Sequence, residues 1–260
     1  MNQPTTLGFD LGNSRIKAAW LSDDELAPCP GFPLDSADEL RSALRSLIEH
    51  RRPGRVALAS TDPAKADRLL AQLHAHGLSA SIDLRLGQAL FDAGLVKHRL
   101  RTPETTGVDR ALAVLAATKR FPNEASLVVD AGTAMTVNAI DAEQTFLGGA
   151  IIPGFGLMSR TLTEGTAALP EIDLESRPDC LGDSTISAMR SGIYYAAVGA
   201  VDRLLEELRE TRSLGATPPV LVTGGNAKLL SQGLRTEHML APHLVLEGLR
   251  HVASHWPATS

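Results

Sequence analysis

One short pattern occurs twice in this chain, as FDLGNSRIKAAW at residues 9–20 and as VDAGTAMTVNAI at residues 129–140. Each copy has an apolar residue, an Asp-x-Gly, two small residues and then alternating apolar positions, which is typical of a strand, a tight turn and a returning strand. One copy alone indicates a common hairpin, because Asp bonds its own turn and Gly adopts a positive φ. Two copies in matching positions predict two similar lobes with a cleft between them.

Strand-like and helix-like segments alternate along the 260 residues. The apolar runs at 55–61, 125–132 and 218–225 are typical of buried strands. Residues 36–52 have the apolar face of an amphipathic helix, with Ser36 as its N-cap. We therefore expect an α/β fold in which each lobe contains a mixed sheet flanked by helices.

The boundary between the lobes is expected near residues 118–124, where a helical pattern gives way to Pro, Asn and Glu. The N-terminal lobe would then comprise residues 1–120 and the C-terminal lobe residues 121–260. Within the second lobe, residues 182–210 predict a long helix, for which a break near Gly192 stays open. The last segment predicts a strand running into a helix that could pack on the first lobe.

Composition excludes several classes of protein. The formal net charge of −5, with no basic stripe, argues against a nucleic-acid partner. No apolar run is long enough to span a membrane, and the first residues lack the pattern of a signal peptide. Cys29 and Cys180 lie at no metal-ligand spacing, so a reduced, cytoplasmic protein is expected.

The two predicted turns suit a phosphate chain. The loops GNS at 12–14 and GTA at 132–134 offer backbone N–H groups that small side chains leave accessible. Lys17 adds a positive charge, and Asp10 and Asp130 could hold metal ions directly or through water. The spacing is neither that of a P-loop nor that of a dinucleotide-binding fingerprint.

Seven motifs, in this order, resemble those of type III pantothenate kinases: DLGNSRIK, GVDR, DAGTAMT, FLGGAIIPGFG, GTAALP, GDSTISAMRSG and LVTGGNAKLL. The resemblance runs from Asp10 to about Leu249. It implies two actin-like (ribonuclease H-like) lobes. It also implies ATP-dependent phosphorylation of the primary hydroxyl of pantothenate to 4′-phosphopantothenate, the first step of coenzyme A biosynthesis.

The resemblance also implies roles for individual residues. Asp109 would be the general base that accepts the proton of the substrate hydroxyl. Thr185 would contact pantothenate from the neighbouring subunit of a homodimer, with the interface in the C-terminal lobe. Leu100 stands where the family has a tyrosine that lines the pantothenate pocket. The implied substrate-binding residues also include Gly107, Val108, Asp109 and Arg110, and the implied ATP-binding residues are Asp10, Leu11, Gly12, Asn13, Ser14, Arg15, Ile16, Lys17 and Thr133.

Two cations are implied by the same resemblance. Asp130 matches the position that binds a monovalent cation, K⁺ or NH₄⁺, in the family. Asp10 would hold Mg²⁺, directly or through water. Hard oxygen ligands suit both ions, and phosphoryl transfer depends mainly on positioning and on neutralising charge.

Two other functions stay open at this point. One is a nucleotide-binding accessory protein of the same family that has lost the chemistry. The other is a kinase that acts on a sugar or another small alcohol. The retention of Asp10, Asp109, Arg110 and Asp130 argues against loss of the chemistry.

Overall fold

The computed structural model describes residues 5–12, 15–23, 25–32, 36–210, 214–215 and 217–256. The strands within these residues are β1 (Thr6–Leu11), β2 (Ile16–Leu21), β3 (Leu26–Phe32), β4 (Arg55–Ser60), β5 (Ile82–Leu84), β6 (Lys97–His98), β7 (Ser126–Ala131), β8 (Ala134–Ile140), β9 (Thr145–Pro153), β10 (Val220–Thr223) and β11 (Met239–Leu240). The helices are α1 (Ala37–Glu49), α2 (Pro63–Ala75), α3 (Gln88–Asp92), α4 (Val108–Arg120), α5 (Phe155–Gly165), α6 (Thr185–Arg209), α7 (Ala227–Ser231) and α8 (Leu244–His255), with a 3₁₀ turn at Pro103–Thr105.

The chain divides into two compact units. The first unit contains the residues up to Lys119 together with those from His243 onward, and the second unit contains Arg120–Pro242. The last helix, α8, therefore belongs to the first unit although it is the last element in the sequence.

The first unit is built on a mixed sheet with the strand order β3-β2-β1-β4-β5. β1 runs antiparallel to β2 and parallel to β4. Ser36 begins α1 by accepting a hydrogen bond from the Glu39 N–H, as its sequence pattern predicts. Asp62 caps α2 in the same way, accepting from the N–H groups of Ala64 and Lys65.

The second unit repeats this topology. Its strands follow in the order β9-β8-β7-β10-β11, and each neighbouring pair has the same direction as its counterpart in the first unit. β1 and β7 even share one burial pattern, in which only the fifth residue of six is not fully buried. The predicted α/β class with two similar mixed sheets is confirmed.

One open point and one expectation for the second half of the sequence are resolved. α6 runs without interruption from Thr185 to Arg209, so Gly192 does not break it. The segment predicted as a strand leading into a helix is helical throughout α8. Its run of Leu244, Val245 and Leu246 looks like a strand in isolation, but the buried positions continue to Val252 with helical spacing.

The final helix packs tightly on the first unit. Gly248 lies so close to the Leu112 carbonyl of α4 that a side-chain carbon there would overlap it. Near the end of α8, Arg55 Nη1 donates to the Ala253 carbonyl at 2.8 Å, and Ser254 Oγ donates to Asp23 Oδ1 at 2.7 Å. None of the helices in the described residues is both long and apolar enough to cross a membrane.

Candidate functional site

The first Asp-x-Gly hairpin places a carboxylate and an amine directly across from each other. Asp10 is the fifth residue of β1, and Lys17 on β2 is its Cα partner. The turn is closed by Gly12 N–H donating to the Arg15 carbonyl at 3.2 Å. Asn13 and Ser14, both predicted to bind ATP, lie outside the described residues.

Three other predicted ATP-binding residues of this hairpin have side chains that are buried or hydrogen-bonded within the first unit. Leu11 and Ile16 are fully buried in the core of the first unit. The Arg15 guanidinium donates to the Gly31 carbonyl of β3 at 3.0 Å. Asp10, Gly12 and Lys17 therefore remain as the described residues whose polar groups could meet a phosphate chain.

Asp109 lies in the first turn of α4. Its Oδ1 accepts a hydrogen bond from the Arg110 N–H at 2.8 Å. Burial raises the pKa of the Asp109 carboxyl above its ordinary value, and this effect outweighs the Arg110 N–H and guanidinium, which lower it. A partly buried carboxylate with a raised pKa is well matched to accepting a proton.

Gly107 makes room for that carboxylate. A Cβ at Gly107 would lie 2.5 Å from Asp109 Oδ1 and 3.4 Å from Thr61 Cγ2. Thr61 directly follows β4, which is parallel to β1. The start of α4 therefore lies at the carboxyl-terminal edge of β1 and β4, the same edge that carries Asp10.

The remaining predicted substrate residues differ in exposure. Arg110 is partly buried, and burial lowers its pKa while the Asp109 charge raises it; arginine nevertheless stays protonated at neutral pH. Val108 is fully buried. Leu100 is partly buried, and its N–H donates to His98 Nδ1 at 3.3 Å.

The second Asp-x-Gly hairpin has Asp130 at the fifth position of β7, with Thr136 on β8 as its Cα partner. Gly224 follows β10 and has a φ of +98°, which favours glycine. A Cβ at Gly224 would also overlap Asp130 Oδ1, and a Cβ at Gly132 would lie 3.6 Å from the same atom. Glycine backbone therefore surrounds this carboxylate closely.

The turn that contains Thr133 is held from one side by Gly154. The Gly154 N–H donates to the Thr133 carbonyl at 2.9 Å, and a side chain at Gly154 would overlap the carbonyls of Gly132 and Thr133. The Asp130 carboxylate and the backbone carbonyls of this turn are hard oxygen donors, the ligand type that suits K⁺.

The case for a divalent metal ion rests on the single carboxylate of Asp10. The described residues contain no group of three or more His, Cys, Asp or Glu side chains that could hold a metal ion. Mg²⁺ commonly uses one or two carboxylates together with waters and substrate phosphates. Asp10 fits that use of a single carboxylate.

Thr185 is the first residue of α6 and is exposed. Ser184 caps the helix, since its side chain accepts from the Ser187 N–H while Ser187 Oγ accepts from the Ser184 N–H. This capping box leaves the Thr185 hydroxyl at the protein surface.

Three neighbours of the predicted residues were not assigned by the sequence analysis. They are Thr61 beside Gly107, Gly154 behind the Thr133 turn, and His243 at the start of α8. The Pro-Gly at 153–154 is a local signal for Gly154. Thr61 and His243 have no such signal, because long-range packing brings them into place.

The comparisons with known proteins agree with one another. The family described as type III pantothenate kinase matches residues 6–207. A type III pantothenate kinase of Legionella pneumophila (strain Corby) is 34% identical over 254 residues, covering 95% of this chain and 97% of that protein. One from Dechloromonas aromatica (strain RCB) is 35% identical over 254 residues, covering 94% and 97%.

A solved structure supports the fold alone. The ethanolamine utilization protein EutJ from Carboxydothermus hydrogenoformans superposes with a TM-score of 0.55 at 17% identity, covering 97% of this chain and 90% of that one.

Together, the family match and the sequence relatives define the class of this protein as a kinase, a phosphotransferase for which ATP is the implied co-substrate. More particularly, the chain belongs to the type III pantothenate kinase family.

Proposed function

We propose that this protein transfers the γ-phosphoryl group of ATP to the primary hydroxyl of pantothenate, giving 4′-phosphopantothenate, the first step of coenzyme A biosynthesis. The observation that carries the proposal is the placement of Asp109. Its partly buried carboxylate has a raised pKa and lies against Gly107, at the sheet edge that also carries Asp10. The proposed proton acceptor therefore lies in the same unit as the hairpin that is proposed to bind phosphate.

Asp109 accepts the proton of the substrate hydroxyl as that oxygen attacks the γ-phosphorus. Positioned acid–base help of this kind contributes about 10²–10⁴-fold to a rate. Arg110, adjacent in the same helical turn, binds the pantothenate carboxylate through charge-assisted hydrogen bonds. Gly107 and Val108 contribute backbone at the start of α4.

Lys17 binds the phosphate chain as a point charge, and Gly12 allows the backbone to approach it closely. Thr133 contacts the nucleotide through its turn in the second unit. Asp10 would hold Mg²⁺, directly or through water, and Asp130 would hold K⁺ or NH₄⁺. When bound, these ions neutralise the negative charge of the phosphates.

The proposal includes a homodimer in which Thr185 contacts pantothenate in the neighbouring subunit. Its support is the exposed position of Thr185 at the capped start of α6. A cytoplasmic location is also proposed, and it is consistent with Cys29 and Cys180, which are both free thiols.

A direct product assay tests the function. Purified protein is incubated with ATP, Mg²⁺ and pantothenate in potassium or sodium buffer, and ADP and 4′-phosphopantothenate are quantified by mass spectrometry. Equal amounts of both products, with faster turnover in potassium, are expected. Mass spectrometry is preferred because many coupling enzymes themselves depend on potassium.

A substrate panel separates the alternatives. Pantothenate is compared with glucose, N-acetylmannosamine and glycerol under the same conditions. ADP release that follows a sugar rather than pantothenate would identify a sugar kinase. Nucleotide binding without turnover on any acceptor would indicate an accessory protein.

A further inference from the structure

We infer that His243, at the start of the final helix, binds the nucleotide phosphates together with Lys17. This inference deepens the proposed function and rests on it for the identity of the nucleotide. The family match ends at residue 207, so it assigns no role to this part of the chain.

The packing of α8 sets the position of His243. The carboxyl end of the helix lies at the start of β4, because Arg55 bonds to the Ala253 carbonyl. One turn earlier, Leu249 packs against Gly8 in the middle of β1, where a Cβ would meet its Cδ2 at 3.4 Å. The helix therefore runs along β1 in the opposite direction to the strand.

The distances spanned along α8 and along β1 agree. From Ala253 to Leu249 the helix rises about 6 Å, and from Thr6, the Cα partner of Arg55, to Gly8 the strand rises about 7 Å. A further turn of helix reaches the level of Asp10. His243, about 3 Å beyond that level, lies at the edge where β1 ends and β2 begins.

The electrostatics of His243 identify Lys17 as a neighbour. The pKa of His243 is lowered first by burial and then by the positive charge of Lys17, while Glu247 on the next helical turn raises it. Lys17 is also the Cα partner of Asp10. His243 therefore lies within electrostatic range of the amine that is proposed to bind phosphate.

One nitrogen of the partly buried histidine side chain has no hydrogen-bond partner. Within the described residues, Nδ1 of His243 is buried without a hydrogen-bond partner, and the side chain makes no capping bond to α8. Burying a polar atom without a partner is unfavourable. Its neighbours, Lys17 and the N-terminus of a 12-residue helix, both favour an anion.

A bound phosphate chain would change the charge of this histidine. The negative phosphate oxygens offset the repulsion from Lys17 and accept a hydrogen bond from the imidazole. The imidazole therefore takes up a proton as the nucleotide binds near pH 6.5. Among the described residues, the charged groups that act on it are Lys17 from β2 and Glu247 from its own helix, with Asp10 across from Lys17.

Isothermal titration calorimetry tests this with a non-hydrolysable ATP analogue and Mg²⁺, without pantothenate. Titrations at pH 6.5 in two buffers of different ionisation enthalpy measure proton uptake. Wild-type protein should take up protons. His243→Gln should take up fewer and bind about tenfold more weakly, as loss of a charge-assisted hydrogen bond implies.

The matched control is His255→Gln, at the exposed opposite end of the same helix, which should behave as wild type. Unchanged affinity and unchanged proton uptake in His243→Gln would overturn the inference. So would wild-type protein that binds the analogue without taking up protons, a result that does not depend on how any variant folds. The titration contains no pantothenate. Its result can therefore be interpreted even if pantothenate proves not to be the substrate.

Discussion

The two Asp-x-Gly hairpins have the same position in their sheets but differ in what stands across from the aspartate. Asp10 has Lys17 as its partner, whereas Asp130 has the neutral Thr136. The first hairpin therefore supplies a protein cation beside its carboxylate. The second has glycine backbone close to its carboxylate and no charged cross-strand partner.

The two hairpins also differ in the length of the turn. Four residues, 12–15, separate the last pair of the first hairpin, and three residues, 132–134, separate the last pair of the second. Aligned by sequence, Lys17 corresponds to Val137, but the shorter turn brings Thr136 across from Asp130 instead. A shift of one residue exchanges the two faces of a strand, so similar motifs yield different chemistry.

The largest effect is expected from Asp109→Asn, because Asp109 is the proposed base and lies outside the motif that the two units share. Turnover should fall about 10²–10⁴-fold, measured as 4′-phosphopantothenate formation. Nucleotide affinity should be unchanged, which serves as the control. Activity within tenfold of wild type would remove Asp109 from the mechanism.

Asp109→Asn also has a consequence for stability. The folded-state pKa of Asp109 is raised, so the folded protein binds more protons than the unfolded chain and loses stability as pH rises through that raised pKa. The asparagine variant lacks this penalty. Its melting temperature at pH 7 should therefore equal or exceed that of wild type.

Gly107→Ala should lower kcat about tenfold to a hundredfold, because displacing a reacting group by about 1 Å can have an effect of that size. The new Cβ would lie 2.5 Å from Asp109 Oδ1. Gly225→Ala, in the second unit, is the matched control, since no described atom lies within 4 Å of a Cβ there and its φ is not positive. Equal kinetics for the two variants would contradict the role of Gly107.

Lys17→Met makes the first hairpin resemble the second, with no cation across from its aspartate. The KM for ATP should rise about tenfold or more, since hydrogen bonds to charged groups contribute about 1.5–3 kcal/mol. The KM for pantothenate serves as the internal control. A larger rise in the KM for pantothenate than in that for ATP would mean that Lys17 binds pantothenate rather than ATP.

Asp130→Asn tests the second hairpin. The potassium concentration for half-maximal activity should rise about tenfold, in line with the metal affinity lost when a site is perturbed. Titration of potassium against a constant total salt concentration measures this. The same shift from Asp10→Asn, with none from Asp130→Asn, would reverse the assignment of the two hairpins.

The smallest effect concerns α8, the helix that the second half of the sequence contributes to the first unit. Burial and the charges of Arg250, Lys119 and His255 lower the pKa of His251 to about 4. The unfolded chain therefore binds more protons between pH 6.5 and 4, and stability falls as pH falls through that range. In His251→Gln this loss should be smaller by about 1 kcal/mol, allowing for solvent screening, as measured by chemical denaturation at both pH values.

Much of the fold could be predicted from short-range patterns. Ser36 indicated the start of α1, the apolar runs indicated β4, β7 and β10, and the doubled motif indicated two similar sheets. The strand expected before the last helix was wrong, because a short apolar run fits a buried helix as well as a strand. The prediction for residues 13 and 14 lies outside the described residues.

The sequence by itself determined the local elements and the repeat, because caps, turns and periodicity depend on residues that are close along the chain. Tertiary structure decided which groups meet: Gly107 with Asp109 and Thr61, Gly224 with Asp130, and the final helix with β1. It also decided that Thr136 rather than Val137 stands across from Asp130. These outcomes depend on strand register and on packing between distant segments of the chain. A turn that is one residue longer, or a glycine in place of a residue with a Cβ, changes which groups lie next to a carboxylate.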